Sequence, residues 1–316
     1  MNELRKERER CKKVSNFNSP RIKSEEELRN YMFDVEIALT PALLFGVYRF
    51  GFAALKVIIL AVAASVLTEV IFQKCMKKPV TISDGSAVVT GLLMACVLSP
   101  AVPVYVPVIG SIFATLVVVD LYGGYGRHFI SPALTARGFL LISFSSVMTN
   151  YKLDGMASAT PLQTLMDGGA VMVKDLAMGN IMGAIGEVSA VAILIGFLYL
   201  VVRRAASILT PVVTAVVFAL FIGLFSGQGF DVNYILAQLF GGGFMFAICF
   251  FATDYVTAPA SAVGKIIYGV CLGLITGLFR VLGTSTESVS YAVLFCTLLV
   301  PLIDKLSTPK AVKEAA

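Results

Sequence analysis

The amino-acid sequence predicts an all-helical integral membrane protein with about ten transmembrane helices. Hydrophobic residues make up 57% of the 316 positions, charged residues make up only 14%, and the mean hydropathy is +0.85. A water-soluble domain has roughly 45–50% apolar and about 25% charged residues, so lipid must cover much of this surface. The apolar runs are continuous and do not alternate with polar residues, which favours helices over a β-barrel.

Ten apolar runs approach the length of about 20 residues that a helix needs to cross the roughly 30 Å hydrocarbon layer. The third run is short and ends at Ser99 and Pro100, so we do not require it to span unaided. The order of the runs allows two five-helix halves, although no repeat of constant spacing is visible. The runs are Val35–Phe50, Ala53–Phe72, Ala87–Leu98, Val104–Leu121, Ala133–Met148, Ile181–Val202, Leu209–Phe225, Ile235–Ala252, Ile266–Leu282 and Val289–Ile303.

The distribution of Lys and Arg predicts the orientation, because these residues accumulate in cytoplasmic loops. With the basic N-terminal arm in the cytoplasm, roughly 20 of the 25 positive charges fall inside, and both termini are inside. The inside charges of the arm are Arg5, Lys6, Arg8, Arg10, Lys12, Lys13, Arg21, Lys23 and Arg29. The other inside charges are Lys74, Lys77, Lys78, Arg127, Arg137, Arg203, Arg204, Lys265, Lys305, Lys310 and Lys313. The outer ends carry Arg49, Lys56, Lys152, Lys174 and Arg280.

The connections between these runs leave no room for a separate soluble catalytic domain. We expect a cytoplasmic arm over residues 1–33, helices over 34–150, an outer loop over 151–178, helices over 179–304 and a cytoplasmic tail over 305–316. The first apolar run carries no cleavage site of small residues, so we expect no cleaved signal. The arm mixes its basic residues with glutamates, which is typical of a tail near anionic lipid and not of a nucleic-acid partner.

Cysteine and histidine usage predicts no metal centre built by this chain alone. The six cysteines stand singly, without a C-x-x-C pair, and His128 is the one histidine, which excludes a haem held by two histidines of this chain. Isolated cysteines in apolar helices are usually small packing residues. Any redox centre is therefore expected to be something other than a metal.

An isolated charge at or near the membrane is energetically unfavourable, so charged residues in these positions are candidates for a functional role such as ion binding. Their alternative role is to cap a helix or to face water at the interface. Backbone broken at Ser131–Pro132 and at Ala258–Pro259 offers further carbonyl groups and helix ends. The candidate carboxylates are Glu187, Asp254, Asp120 and Glu69.

Two rows of glycines, spaced for one face of a helix, predict close packing between helices. They are Gly179, Gly183 and Gly186, and Gly269, Gly273 and Gly277. Small residues at this spacing let helix backbones approach each other, so no nucleotide-binding role is needed to explain them.

The outer loop contains the segment DGMASATPLQ, from Asp154 to Gln163. Thr160 followed by Pro161 is typical of a helix start, since Thr is a good N-cap and Pro is favoured at the first helical position. Pro161 also favours an extended Thr160, which exposes its hydroxyl group. By geometry alone, a capped loop helix is the favoured explanation of this segment.

The same segment resembles the flavinylation motif of a family that includes the D-subunit of the Rnf complex and the B-subunit of the sodium-pumping NADH:quinone reductase. The similarity continues over the whole chain, in SDGSAVVTG from Ser83, YGGYG from Tyr122, GAIGE from Gly183 and ATDYVTAP from Ala252. The resemblance implies that a flavin transferase esterifies FMN to Thr160. The residues around it that match the motif are Asp154, Gly155, Ser158 and Ala159.

The resemblance also implies a second, non-covalent flavin (riboflavin or FMN), for which Glu187, Asp254 and Asp120 are candidate neighbours. It implies the other membrane and peripheral subunits of the Rnf complex as partners, with ferredoxin and NAD as indirect partners. The bacterial or archaeal cytoplasmic membrane is the implied location. The run from His128 to Ser131 departs from the more usual Asn-Pro-Phe-Asn, and the N-terminal extension typical of the quinone reductase member is missing.

Three functions of different classes are consistent with the sequence. The first is a flavin-bearing subunit of an ion-pumping ferredoxin:NAD oxidoreductase, or of the related NADH:quinone reductase. Such a subunit is not a complete enzyme by itself. The second is a secondary transporter or channel without a flavin, which broken helices also allow. The third is a membrane scaffold for redox partners.

Overall fold

The fold is described from a computed structural model that covers residues 25–77, 81–149, 161–166, 169, 171–283 and 287–307. Within these ranges the regular structure is helical, and no strand occurs there. The helices in chain order are α1 Glu25–Phe50, α2 Phe52–Cys75, α3 Ser86–Cys96, α4 Tyr105–Asp120, α5 Pro132–Ser143, α6 Ser145–Met148, α7 Pro161–Met166, α8 Val173–Met178, α9 Ala190–Val202, α10 Leu209–Phe225, α11 Val232–Phe240, α12 Phe244–Phe251, α13 Ala262–Leu282 and α14 Ser288–Ser307.

Four of the described helices, α1, α2, α13 and α14, are long and apolar enough to cross a membrane, and the bent pair α11 and α12 gives a fifth crossing if it is counted as one span. The number of ten spans is therefore not confirmed. The prediction counted every apolar run as one crossing, whereas α3, α4, α9 and α10 are shorter apolar helices. An 11-residue helix such as α3 is about 17 Å long, well short of the roughly 30 Å hydrocarbon layer.

Large apolar side chains cover the outside of the bundle. Tyr48, Phe52, Ile142 and Leu282 are each at least three-quarters exposed, at 83%, 78%, 82% and 75%. Water would make so much exposed apolar surface unfavourable, whereas lipid covers it at no such cost. The surface and the long apolar helices together identify a multi-pass membrane protein.

A helix break follows α3, where the sequence predicts a short run. The helix ends at Cys96, ahead of Pro100, which lacks the N–H group needed to continue a helical ladder. The carbonyl oxygen of Cys96 accepts a hydrogen bond from the Gly186 amide at 2.9 Å, and that of Leu98 accepts one from the Ile185 amide at 3.0 Å. The loop before α9 therefore satisfies carbonyl groups that the end of α3 leaves open.

A second break separates α11 from α12, which bend by 63° at the glycines 241–243. Gly242 and Gly243 both adopt the left-handed conformation, with φ of 61° and 68°, which side chains with a Cβ rarely tolerate. The last five residues of α12 are π-helical, as are the last eight of α4.

The second glycine row packs a helix pair, as predicted. Gly269, Gly273 and Gly277 of α13 lie against α10, and a Cβ on Gly273 would be 2.9 Å from the carbonyl oxygen of Thr214. A Cβ on Gly277 would be 2.5 Å from the Phe221 ring. Small residues therefore permit the close contact of these two helices.

The first glycine row does not form a helix face, and that prediction is wrong. The helix begins only at Ala190, because Ser189 caps it: the Ser189 hydroxyl accepts a hydrogen bond from the Ala192 amide at 3.3 Å. Gly183 and Gly186 lie before this cap, in the loop that contacts the end of α3. A Cβ on Gly186 would be 2.5 Å from Cys96 Cβ, so the glycine permits a loop contact instead.

Candidate functional site

A buried group of charges joins three distant segments of the chain. Nη1 of Arg137, in α5, donates to Oε1 of Glu187 at 2.8 Å, and Nη2 donates to Oε2 of Glu287 at 2.7 Å. The side chains of these residues are 5%, 11% and 8% exposed. One guanidinium group therefore holds together α5, the loop before α9 and the start of α14. We call these three residues the Arg137 cluster.

A second arginine lies at the break between α11 and α12. Nη1 of Arg280, in α13, donates to the carbonyl oxygen and the side-chain Oε1 of Gln238, at 2.5 and 2.8 Å. Its Nη2 donates to the carbonyl oxygen of Gly241 at 2.8 Å. These carbonyl groups end α11, so the cation satisfies open acceptors at the negative end of the helix dipole.

The charges at the two sides of the break have opposite sign. Arg280 contacts the end of α11, whereas the carboxylate of Glu187 packs against Gly243, the residue that precedes α12. A Cβ on Gly243 would be 2.5 Å from Cδ of Glu187. The positive Arg280 meets the negative C-terminal end of the α11 dipole, and the negative Glu187 meets the positive N-terminal end of the α12 dipole. Two arginines and two glutamates also give this region no net charge.

A small cavity of about 30 Å³ opens beside the Arg137 cluster. It is large enough for one or two water molecules. Pro161, the first residue of α7, lines this cavity together with Arg137, Glu187 and Glu287. The predicted helix start at Pro161 is confirmed, since α7 begins there. We call this space the Pro161 cavity.

A second cavity of about 30 Å³ lies near the N-terminal end of α1. Tyr31, Tyr125 and Asp254 line it, together with Ser131 and Pro132 at the start of α5. The predicted break at Ser131–Pro132 therefore lies beside a cavity. We call this space the Tyr31 cavity.

The loop after α12 holds Asp254 beside the Tyr31 cavity. Its Oδ2 accepts a hydrogen bond from the Thr257 hydroxyl at 3.1 Å. Burial raises the pKa of the Asp254 carboxyl to about 6, and the hydrogen bonds from Thr257 and from nearby backbone amides act in the opposite direction. This carboxyl group can therefore exchange a proton near neutral pH.

The two cavities lie toward opposite ends of α1. Tyr31 of α1 lines the Tyr31 cavity. The Pro161 cavity is lined by the loop that follows Gly179, and the backbone of Gly179 packs against Phe45 of α1. Fourteen residues of helix separate Tyr31 from Phe45, a rise of about 21 Å. If the N-terminal arm is cytoplasmic, the Pro161 cavity faces the outer side.

Asp120 belongs to a third polar group. It ends α4, is 5% exposed, and interacts electrostatically with Glu69 of α2. Oε1 of Glu69 accepts a hydrogen bond from the Gln73 amide at 2.8 Å. The structure therefore does not bring Glu187, Asp254 and Asp120 together in one site.

Similarity to known proteins decides the family. The model of the NQR2, RnfD, RnfE family matches residues 15–313. The chain belongs to this family. It is 40% identical over 298 residues to the D-subunit of the Na⁺-translocating ferredoxin:NAD⁺ oxidoreductase complex of Acetobacterium woodii, covering 92% of both chains.

Two further relatives carry similar names. Over 309 residues the chain is 34% identical to the D-subunit of the proton-translocating ferredoxin:NAD⁺ oxidoreductase complex of Clostridium ljungdahlii, covering 92% of this chain and 93% of the relative. Over 340 residues it is 32% identical to the D-subunit of the ion-translocating oxidoreductase complex of Actinobacillus succinogenes, covering 92% and 96%. The resemblance seen in the sequence motifs is thereby confirmed.

The residues predicted to form a flavinylation motif lie outside the described residues. They are Asp154, Gly155, Ser158, Ala159 and Thr160. The part of the chain that the structure describes resumes at Pro161, directly after the threonine. Attachment of FMN to Thr160 therefore stays a prediction.

Sequence reasoning misses the Arg137 cluster and Arg280 as parts of a site. The charge pattern counts Arg137 among the inside charges, but this residue is 4% exposed and lines the Pro161 cavity, which lies toward the other end of the bundle from the N-terminal end of α1. The same pattern assigns Arg280 to an outer helix end, but it contacts the break between α11 and α12. The available signal is a cation inside an apolar run, which must find a partner when it is buried.

Proposed function

We propose that the chain is the D-subunit of an ion-translocating ferredoxin:NAD oxidoreductase complex of the Rnf type. In this role it relays electrons through covalently bound FMN and takes part in the transport of Na⁺ or H⁺. It is one component and not a complete enzyme. The observation that carries the proposal is the 40% identity, over 92% of both chains, to a protein of that name. The relatives are named for both ions, so both stay in the proposal.

The proposed attachment residue is Thr160. Bound FMN supplies a carrier that accepts one or two electrons. The phosphoester tethers the cofactor and raises its local concentration, while groups around the ring set its potential. Pro161 supports this role, because it is buried at the rim of a cavity and fixes the position at which the segment meets the bundle.

The described cavities are too small for a flavin ring. Both are about 30 Å³, which admits water but no three-ring system. The residues of the Pro161 cavity thus fit the task of holding the attachment segment and do not enclose the ring. The aromatic side chains of Tyr31 and Tyr125 suit the chemistry of a second, non-covalent riboflavin or FMN, but the Tyr31 cavity has no room for it without their movement.

Among the predicted carboxylates, Asp254 is best suited to an ion or proton role. It faces a cavity of water size, and its pKa lies at about 6. Oε1 of Glu187 is paired with Nη1 of Arg137 at 2.8 Å, so the guanidinium already compensates the charge of this carboxylate. We therefore propose Asp254 as a station for H⁺ or Na⁺, and we assign Glu187 to holding the fold.

The partners in this proposal are the other membrane and peripheral subunits of the complex, with ferredoxin and NAD as indirect partners. A flavin transferase acts during maturation. We place the chain in the cytoplasmic membrane with both termini inside. Exposed apolar faces leave surface for neighbouring subunits as well as lipid.

Mass spectrometry of the peptide that contains Thr160 tests the covalent flavin. The protein is expressed in a host that contains the transferase and assembles the complex. We expect FMN on Thr160, none in Thr160→Ala, and some in Thr160→Ser, which keeps a hydroxyl group. An unmodified Thr160 in an active complex would remove the flavin from this proposal and favour a transporter or scaffold without a cofactor.

Helix capping alone makes a different forecast for the same variant. Loss of an N-cap costs about 1 kcal/mol and would leave the cofactor content unchanged. The B-subunit of the NADH:quinone reductase is the nearest alternative identity. Activity of the purified complex distinguishes the two identities. The NADH:quinone reductase requires reduction of quinone, whereas the proposed Rnf-type complex requires reduction of NAD by ferredoxin.

A further inference from the structure

The first turn of α7 is buried although it belongs to the outer loop. Pro161 and Leu162 are buried, with Leu162 only 2% exposed, whereas the side chain of Gln163 is exposed. Leu162 is among the largest fully buried side chains of the described residues. A loop helix with no task at the bundle would not need to bury its first leucine, because polar residues suit a solvent-facing turn.

The contact partner of Leu162 is the break between α11 and α12. Cδ2 of Leu162 lies 2.6 Å from the position that a Cβ on Gly242 would take. Nη2 of Arg280 lies 2.9 Å from the same position. Gly242, with φ of 61°, therefore leaves the space that Leu162 fills.

Arg280 connects the break beside Leu162 to the neighbouring helices. Arg280 donates to the carbonyl oxygens of Gln238 and Gly241, which end α11. Nε of Arg280 also donates to Oγ of Ser288, at the start of α14, at 3.3 Å. Any change in the bend between α11 and α12 must move these groups, and the leucine that packs on them moves as well.

We propose that Leu162 anchors the segment carrying the attachment threonine to the break between α11 and α12, so that the position of the flavin follows the bend of this broken helix. Leu162 is a positioning residue, and its role toward the flavin rests on the proposed function. Leu162 lies two positions after Thr160, a chain length of at most about 7 Å. A shift of the broken helix would thus reach the electron carrier through a short connection.

A double-mutant cycle on the full chain in detergent tests the contact without needing any flavin. Gly242→Ala adds a methyl group at the place of Leu162 Cδ2, so it should lower Tm in the parent. In the Leu162→Ala background the clash with Cδ2 is gone, whereas the strain at φ of 61° and the close approach to Nη2 of Arg280 remain. The fall in Tm caused by Gly242→Ala should therefore be clearly smaller but not zero. Equal falls in both backgrounds would show that the two residues do not interact and would overturn the anchor.

A second measurement uses the flavin in the assembled complex. In Leu162→Ala the fluorescence anisotropy of the covalent flavin should fall, whereas Leu162→Met should restore it, because methionine fills a similar volume. Met172→Ala, at a position 74% exposed in the same loop, is the control and should leave the anisotropy unchanged. An unchanged anisotropy in Leu162→Ala would contradict the positioning role.

The two proposals fail in different ways. If the Thr160 peptide carries no flavin, the proposed function loses its cofactor while the Tm cycle still measures the anchor. If the peptide is modified but the cycle shows no coupling between Leu162 and Gly242, only the anchor is lost.

Discussion

Arg137 and Glu187 form a buried ion pair, with 2.8 Å between Nη1 and Oε1, that links α5 to the loop before α9. The same guanidinium group pairs with Glu287 at 2.7 Å. Glu187 follows Arg137 by fifty positions in the chain, and the stretch between them includes residues 151–178, the predicted outer loop. The ion pair therefore joins the two ends of the segment that carries the predicted attachment motif.

Removal of Arg137 should destabilise the protein strongly. Arg137→Met leaves two buried carboxylates without their cation, and breaking a buried pair in this way typically costs about 3–5 kcal/mol. Thermal unfolding in detergent measures the change. The triple variant Arg137→Met, Glu187→Gln, Glu287→Gln is the control, because it removes the charges together. If the single variant were as stable as the triple variant, the ion pairs would have no structural role.

Acid should destabilise the fold through His128. Burial lowers the pKa of this imidazole to about 4, below its usual value of 6.5. Its ring is 2% exposed and lies edge-on to Tyr125, with 4.8 Å between the ring centroids. The unfolded chain binds the proton first as the pH falls, so stability is lost between pH 6.5 and about 4.

His128→Phe keeps an aromatic ring beside Tyr125 and removes the titration. Tm measured from pH 7 to pH 4 should fall less in the variant than in the parent. The difference should vanish above pH 7, apart from a constant offset. Parallel curves for both proteins over the acid range would show that another group titrates.

The predicted orientation can be tested by labelling single cysteines in intact cells. A cysteine at Thr160 should react with a reagent that cannot cross the membrane, while cysteines at Lys77 and Arg204 should not. Lys77 and Arg204 are exposed residues that closely follow the ends of α2 and α9, so burial alone does not protect them. Reaction at Lys77 together with protection at Thr160 would invert the topology and the electron path.

Asp254 should be required for ion movement more than for folding. Asp254→Asn keeps the size of the side chain and its acceptor for the Thr257 hydroxyl, but it cannot carry a proton or a negative charge. In proteoliposomes of the whole complex, we expect ion transport to fall at least about tenfold while the complex still assembles. Glu187→Gln should instead reduce the yield of assembled complex. Equal transport in Asp254→Asn and the parent would remove this station from the ion path.

The sequence by itself determined the membrane class, the helical character and the family of the protein. Composition decided the membrane class because apolar side chains must be covered by lipid wherever they lie in the fold. The start of α7 at Pro161 and the packing row from Gly269 to Gly277 were also readable, since capping and close packing depend on residues near in the chain.

Only the tertiary structure decided which charges meet. Arg137, Glu187 and Glu287 come from segments far apart in the chain, and no local pattern shows that one guanidinium pairs with both carboxylates. Local sequence patterns likewise did not show how many of the helices are long enough to cross a membrane. Apolar runs such as those of α3 and α9 resemble full crossings, although each of these helices is too short to span alone. The break at Gly242 lies inside a single apolar run and is contacted by Arg280 and Leu162 from elsewhere in the sequence.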